Sequence, residues 1–224
     1  MERTDATTTG VPPYLEPYRH ALAHHGPSFE ATLWKSRRTQ RARFRVLTRM
    51  IDLRGLTVLD AGCGLGDLAE YLRDRRIEVQ EYLGVDAFPD VIERARARGL
   101  HRARFERCDF AGDAASFAAL ARQAGADVAL FSGSLNTFEQ AAAIDVLGPV
   151  FDAVRVGVVF NFLSAASPTA TPVAPDPAKR FDPAAVLAWA LGRTPLVRMR
   201  SDYLGGRDAT IAMIHRGSRA DRFR

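Results

Sequence analysis

The ten residues Val58-Leu59-Asp60-Ala61-Gly62-Cys63-Gly64-Leu65-Gly66-Asp67 constrain this chain more than any other stretch. Two strand-forming residues lead into an acid, three glycines follow at alternate positions, and a helical pattern begins. Glycine tolerates left-handed backbone and lets a ligand approach where a Cβ would collide. A helix that starts directly after such a turn presents unpaired N–H groups in its first turn. This strand–turn–helix is how a cofactor is seated at the carboxyl edge of a parallel sheet, so the stretch alone predicts an α/β fold.

Charge narrows the cofactor. A dinucleotide fingerprint reads G-x-G-x-x-G, with a pyrophosphate at the helix N-terminus. Here Gly66 comes one position early, and Asp67 stands where that pattern has its third glycine. Asp60 adds a second carboxylate at the strand end. Two carboxylates would repel a pyrophosphate. They suit a ligand with a cationic end and no phosphate, such as S-adenosylmethionine, with its sulfonium, amino group and ribose diol.

At these residues the chain resembles the class I S-adenosylmethionine-dependent methyltransferases. The family's first motif, acid-x-Gly-x-Gly-x-Gly, is matched by Asp60, Gly62, Gly64 and Gly66, with Cys63 inside the turn. The next expected strand ends at Asp86, followed by Ala87 and Phe88. The resemblance implies that Asp86 binds both ribose hydroxyls, a task suited to a group that only accepts hydrogen bonds, and that the apolar pair packs on adenine. Asp109 and Phe110 follow the third strand and match the acid near the adenine amino group. The fourth opens into Ser132-Gly133-Ser134-Leu135-Asn136, a loop that lines the methyl-transfer pocket in the family. A glycine turn that merely packs would explain Gly64, but not acids closing three successive strands.

The resemblance spans residues 55–216 and implies a doubly wound, seven-stranded, mostly parallel sheet with a C-terminal antiparallel hairpin and helices on both faces. The alternating pattern places strands near 57–60, 81–86, 103–108, 127–131 and 155–161, with helices near 67–76, 88–98, 113–124 and 139–152. Pro183 opens a further helix through Leu191, a permitted first-turn position. Segments 196–203 and 210–215 flank Leu204-Gly205-Gly206-Arg207-Asp208, a hairpin signal. A closing hairpin separates this sheet from a nicotinamide-binding one. Residues 164–177 read as a Pro-, Ala- and Thr-rich loop. The expected organisation is an N-terminal arm and helical lid (1–54), the cofactor domain (55–216) and a basic tail (217–224). Within the lid, 14–25 and 36–51 read as helices, the second with Phe44, Leu47 and Ile51 on one face.

With 224 residues and 47% hydrophobic content the chain suffices for one core. No apolar run approaches the ~18 residues of a membrane span, and residues 1–10 lack a signal-peptide core; a soluble, cytoplasmic protein is expected. Cys63 and Cys108 show neither metal spacing nor a disulfide framework, so no metal is expected. The net charge is +5, and Lys occurs only at Lys35 and Lys179. Basic residues gather at 35–49 and in the tail, at Arg216, Arg219, Arg222 and Arg224.

For the acceptor side the expected residues are Trp34, whose ring face would attract a sulfonium, and Asn136, Asn161 and Tyr203, which fall at or beyond strand ends facing the cleft. Gln40 or Arg43 could reach the methionine carboxylate. His20, His24 and His25 are candidate bases only if their segment folds over the pocket; His215 reads as structural. The loop after strand four lacks the Asp/Asn-Pro-Pro-aromatic motif of amino-methylating nucleic-acid enzymes, and neither cysteine follows a proline as cytosine C5 methylation requires. Trp34-Lys35-Ser36, Phe160-Asn161-Phe162-Leu163-Ser164 and Asp202-Tyr203 are similar to segments of bacterial methyltransferases of undefined substrate. The expected activity is methyl transfer from S-adenosylmethionine to a small-molecule acceptor, leaving S-adenosylhomocysteine. The Arg-rich segment 35–49 leaves open an RNA- or protein-directed enzyme, and the lack of an evident base leaves open a non-catalytic cofactor-binding subunit.

Overall fold

The computed structural model describes residues 11–167 and 177–220. Five parallel strands alternate with helices: β1 (Thr57–Ala61), β2 (Glu81–Asp86), β3 (Ala103–Arg107), β4 (Val128–Phe131) and β5 (Gly157–Ser164). The intervening helices are α3 (Asp67–Asp74), α4 (Pro89–Arg96), α5 (Ala114–Gln123) and α6 (Gln140–Ala153). Ahead of β1 come α1 (Glu16–His25), a 3₁₀ turn at Glu30–Thr32 and α2 (Arg37–Met50). After β5 come β6 (Arg180–Phe181), α7 (Pro183–Arg193), β7 (Val197–Arg200) and β8 (Asp208–Ile214).

The sheet order is β3-β2-β1-β4-β5-β8-β7, with β8 antiparallel to both β5 and β7. The expected hairpin is therefore present, its second strand inserted beside β5. The two-residue β6 pairs parallel to β5 through Leu163 and Arg180 and was not read from the sequence. The expected loop at 164–177 lies mostly outside the described residues.

Side chains of adjacent strand residues point to opposite faces, and the central strands supply both cores. Leu59, Ala61, Leu83 and Phe131 pack on one face against Phe117 of α5, Leu147 of α6 and Val186 of α7. Val58, Tyr82, Val128 and Leu130 pack on the other against Leu47 of α2, Leu72 of α3 and Ile92 of α4. Polar residues set the helix starts. Ser36 accepts from Thr39 N (3.2 Å), Asp113 from Ser116 N (2.9 Å) and Asp182 from Ala184 N (2.8 Å); each satisfies an amide that has no partner within the helix.

The helix expected at 36–51 within the lid is α2 (Arg37–Met50). α2 instead belongs to the body, because Phe44, Leu47 and Met50 are buried in the sheet's own core. The segment through α1 and Trp34 covers the carboxyl edge, and α2 adds Gln40 and Arg43 to the same cavity. There the chain leaves β3 at one side of β1 and returns as β4 on the other. Such a reversal opens a crevice at the strand ends, the usual ligand position in open α/β sheets. Among the described residues no helix is long and apolar enough to cross a membrane.

Candidate active site

The glycine turn leaves β1 at the crevice. Gly62 N and Cys63 N donate to Val85 O at 2.8 and 2.9 Å, which locks the turn onto β2. Gly62 has φ +74°, and a Cβ there would lie 2.4 Å from Ser134 Cβ. The loop after β4 therefore presses directly on the turn, and only glycine permits it.

Asp86 closes β2 with its carboxylate inside the crevice. Its Oδ2 accepts from Gly64 N (3.1 Å) and its Oδ1 from Phe88 N (3.2 Å). Burial pushes its pKa up, and the backbone amides oppose that shift. Each carboxylate oxygen keeps a lone pair for a ligand hydroxyl. Asp109 is more fully engaged: Oδ2 accepts from the Tyr14 hydroxyl (2.8 Å), Oδ1 from Ala111 N (3.2 Å) and Gly112 N (3.1 Å). Tyr14 stacks on Phe138 (centroids 4.6 Å), which stacks on Phe110 (5.8 Å). The result is an aromatic wall beside the two acids.

The opposite wall comes from both ends of the chain. Trp34 lies against Gly133, where a Cβ would sit 2.7 Å from the indole. Arg43 stacks on the Trp34 ring, its guanidinium 4.8 Å from the centroid, and forms a buried ion pair with Asp208. Asp67, in the first turn of α3, accepts from Gln40 Nε2 (2.9 Å) and Arg98 Nη1 (2.8 Å). These groups enclose a cavity of about 390 Å³ lined by Gly62, Cys63, Gly64, Asp86, Ala87, Asp109, Phe110, Ser132, Gly133, Asn136 and Trp34, among others. The buried side-chain atoms without a hydrogen-bond partner include Ser134 Oγ and Asn136 Oδ1 on that lining. Buried polar atoms are normally satisfied, so such atoms make the cavity the candidate binding site.

Several expected site residues stand behind the cavity. Asp60 is buried and accepts a hydrogen bond from the Tyr82 hydroxyl. Burial raises its pKa to about 7, against the lowering effect of Tyr82. Asp60 thus braces β1 on β2 and does not line the cavity. Gly66 packs α3 onto the sheet: a Cβ there would lie 2.9 Å from Phe105 Cζ. Asn161 is fully buried, accepting from Gly133 N (2.8 Å) and donating to Ser132 Oγ (3.3 Å). Both its amide atoms are spent shaping the loop after β4, so the expectation of substrate contact is corrected. Tyr203 is corrected likewise: its hydroxyl bonds Thr210 Oγ1 (2.7 Å) and lies away from this cavity. His20, His24 and His25 are exposed on α1 and line none of it. His215 is structural, stacked on Phe151 at 4.0 Å. Burial holds both Cys63 and Cys108 above the usual thiol range.

Sequence reading missed Tyr14 and Tyr18, which both line the cavity. Two tyrosines four residues apart in a short helical stretch were the available signal. Burial pushes Tyr18 up to about 12, with the Asp86 carboxylate adding to the effect. Tyr14 is raised too, by burial and by its bond to Asp109. Both remain phenols at neutral pH.

Residues 59–169 match the family model described as Methyltransferase domain. The chain belongs to the class I S-adenosylmethionine-dependent methyltransferases. Its cofactor is S-adenosylmethionine. This methyltransferase is similar in fold to magnesium protoporphyrin IX methyltransferase from Synechocystis PCC 6803 with bound S-adenosylmethionine, at TM-score 0.64 and 13% identity over 93% of this chain and 100% of that one. A methyltransferase from Mesorhizobium loti gives 0.55 and 18% over 78% and 98%. Human N-acetylserotonin methyltransferase gives 0.58 and 16% over 89% and 61%. A comparison with curated proteins finds no match.

Proposed function

We propose that this methyltransferase acts on a small-molecule acceptor bound under its N-terminal roof. The observation that carries the reading is the roofed cavity itself. Tyr14, Tyr18, Trp34 and the loop after β4 close over the glycine turn, which favours a molecule that fits inside over a flat macromolecular surface. Its volume falls in the range of about 300–1,000 Å³ common for small ligands.

In this reading Asp86 holds the ribose hydroxyls, and Tyr14, Phe110 and Phe138 wall the adenine. Ser134 and Asn136 meet polar groups of the ligands. Bound there, the cofactor would supply an activated methyl, which an acceptor lone pair could take with the C–S bonding electrons left on sulfur. The chain's own work is placement and exclusion of water. Neither cavity tyrosine is a base at neutral pH, and the α1 histidines point away. The acceptor therefore brings an available lone pair or an acidic proton of its own.

The test is methyl transfer from radiolabelled S-adenosylmethionine into a cell extract separated by size. Label in the low-mass fraction supports the reading; label confined to RNA or protein refutes it.

A further inference from the structure

The charges on the cavity wall are sorted. Asp67, Asp86 and Asp109 stand by the ends of β1, β2 and β3, the cofactor side of the crevice. The cations Arg180 and Arg207 come from β6, paired to β5, and from the residue before β8, and Lys35 lines the same wall ahead of α2. The carboxylate at this end, Asp208, is consumed by Arg43. Arg180 donates to Ser164 O (3.2 Å) and Arg207 to Leu204 O (3.1 Å). These carbonyls orient the two guanidiniums, whose other N–H groups have no side-chain or carbonyl partner among the described residues. Among the described residues, neither of these arginines nor Lys35 has a carboxylate within salt-bridge distance.

The basic character continues outward. A groove of about 1,180 Å³ runs between α2 and the β7–β8 connection, and Lys35, Thr39, Leu204 and Arg207 line both it and the cavity. Arg38, Arg45 and Arg49 form one stripe of α2 along it, none in an ion pair among the described residues. The acid on the groove wall, Asp202, is held by Arg200 at 2.8 Å. Unpaired like charges in a cleft repel one another and concentrate counter-ions of opposite sign. Among the described residues the exposed large hydrophobic side chains are Leu33 and Leu191. Tyr203, the aromatic on the groove lining, is only 7% exposed, so it offers no open platform for unpaired nucleic-acid bases to stack on.

We propose that the methyl acceptor is an oxyanion, a small molecule bearing carboxylate or phosphate, whose charged group is held by Lys35, Arg180 and Arg207 at the junction of cavity and groove. This names the substrate class within the small-molecule reading above and rests on it.

Two measurements test it. First, a metabolite extract is split on an anion exchanger before reaction, and each fraction is incubated with the methyltransferase and labelled S-adenosylmethionine. The retained, anionic fraction is expected to accept the methyl. Acceptance confined to the unretained fraction overturns the oxyanion assignment and leaves the small-molecule reading standing. Acceptance confined to RNA or protein removes both. Second, the protein loaded with S-adenosylhomocysteine is titrated with citrate and with inorganic pyrophosphate, the two arms separating carboxylate from phosphate recognition. At least one is expected to bind, and the Arg180→Gln/Arg207→Gln double variant to bind it about tenfold or more weakly, the loss of one charge-assisted hydrogen bond or more. The variant's affinity for S-adenosylhomocysteine is expected to stay unchanged, which shows that it is folded. Failure of both anions to bind the wild-type protein, or equal binding by the variant, overturns the proposal.

Discussion

Replacing Asp60 by Asn isolates the one acid of the glycine motif that faces away from the cavity. Burial raises its pKa from 3.8 to about 7, so between those values the folded protein keeps a proton that the unfolded chain has released. The sign follows directly: a proton held more tightly in the folded state stabilises it at low pH, and that advantage is lost as pH rises toward 7. One proton over about three pH units corresponds to about 4 kcal/mol, or about 1.4 kcal/mol per unit. Asn accepts the same hydrogen bond from Tyr82 but does not titrate. Any packing cost of the amide is constant with pH, so the diagnostic quantity is the change in the stability difference. Urea unfolding of both cofactor-free proteins from pH 4.5 to 8.5 is expected to show the variant gaining on the wild type up to pH 7 and holding level above it. A difference that does not vary across that range would mean that Asp60 is ionised in the folded protein, and the assignment of a bracing, proton-retaining role would fall.

Asp86→Ala removes the carboxylate acceptors from the crevice; calorimetry is expected to show S-adenosylhomocysteine bound about 100-fold more weakly, since hydrogen bonds to a charged group contribute about 1.5–3 kcal/mol each. Gly62→Ala sets a Cβ 2.4 Å from Ser134 Cβ at a φ of +74°; cofactor binding is expected to fall, and Ser134→Gly to restore part of it by relieving the steric component alone. Tyr14→Phe deletes the bond to Asp109; a stability loss of about 1 kcal/mol and faster proteolysis within 11–33 are expected, and an unchanged cleavage rate would show that this bond does not hold the roof. In a Trp189→Phe background Trp34 is the remaining tryptophan, and its fluorescence is expected to change on cofactor binding because it lines the cavity beside Arg43.

The strand–helix alternation, the glycine turn and the closing hairpin were legible because each is a local pattern with a period or a turn signature. Asp86 and Asp109 were legible for the same reason, as acids at the ends of predicted strands. Asp60 shares that pattern, yet its side chain meets Tyr82, a partner on the neighbouring strand that only the pairing of Val58 with Tyr82 brings near. Asn161 looked like a cleft residue because it is polar within an apolar strand. Its role emerges only when Gly133 and Ser132, about thirty residues earlier, fold against it. Tyr14 and Tyr18 were hidden for a different reason. Their stretch, 14–25, reads as a short helix, but nothing local says where that helix docks; its place over the sheet is fixed by Asp109 and Phe138, far along the chain.

The pairing of Arg43 with Asp208 ties α2 to β8 across most of the polypeptide. A guanidinium enclosed this way without its carboxylate costs about 3–5 kcal/mol. During synthesis the glycine turn and Asp86 leave the ribosome long before Asp208 does. A nascent protein can thus form its nucleoside seat while the acceptor chamber still lacks a wall, and β8, the strand that completes the wall, emerges after every other strand.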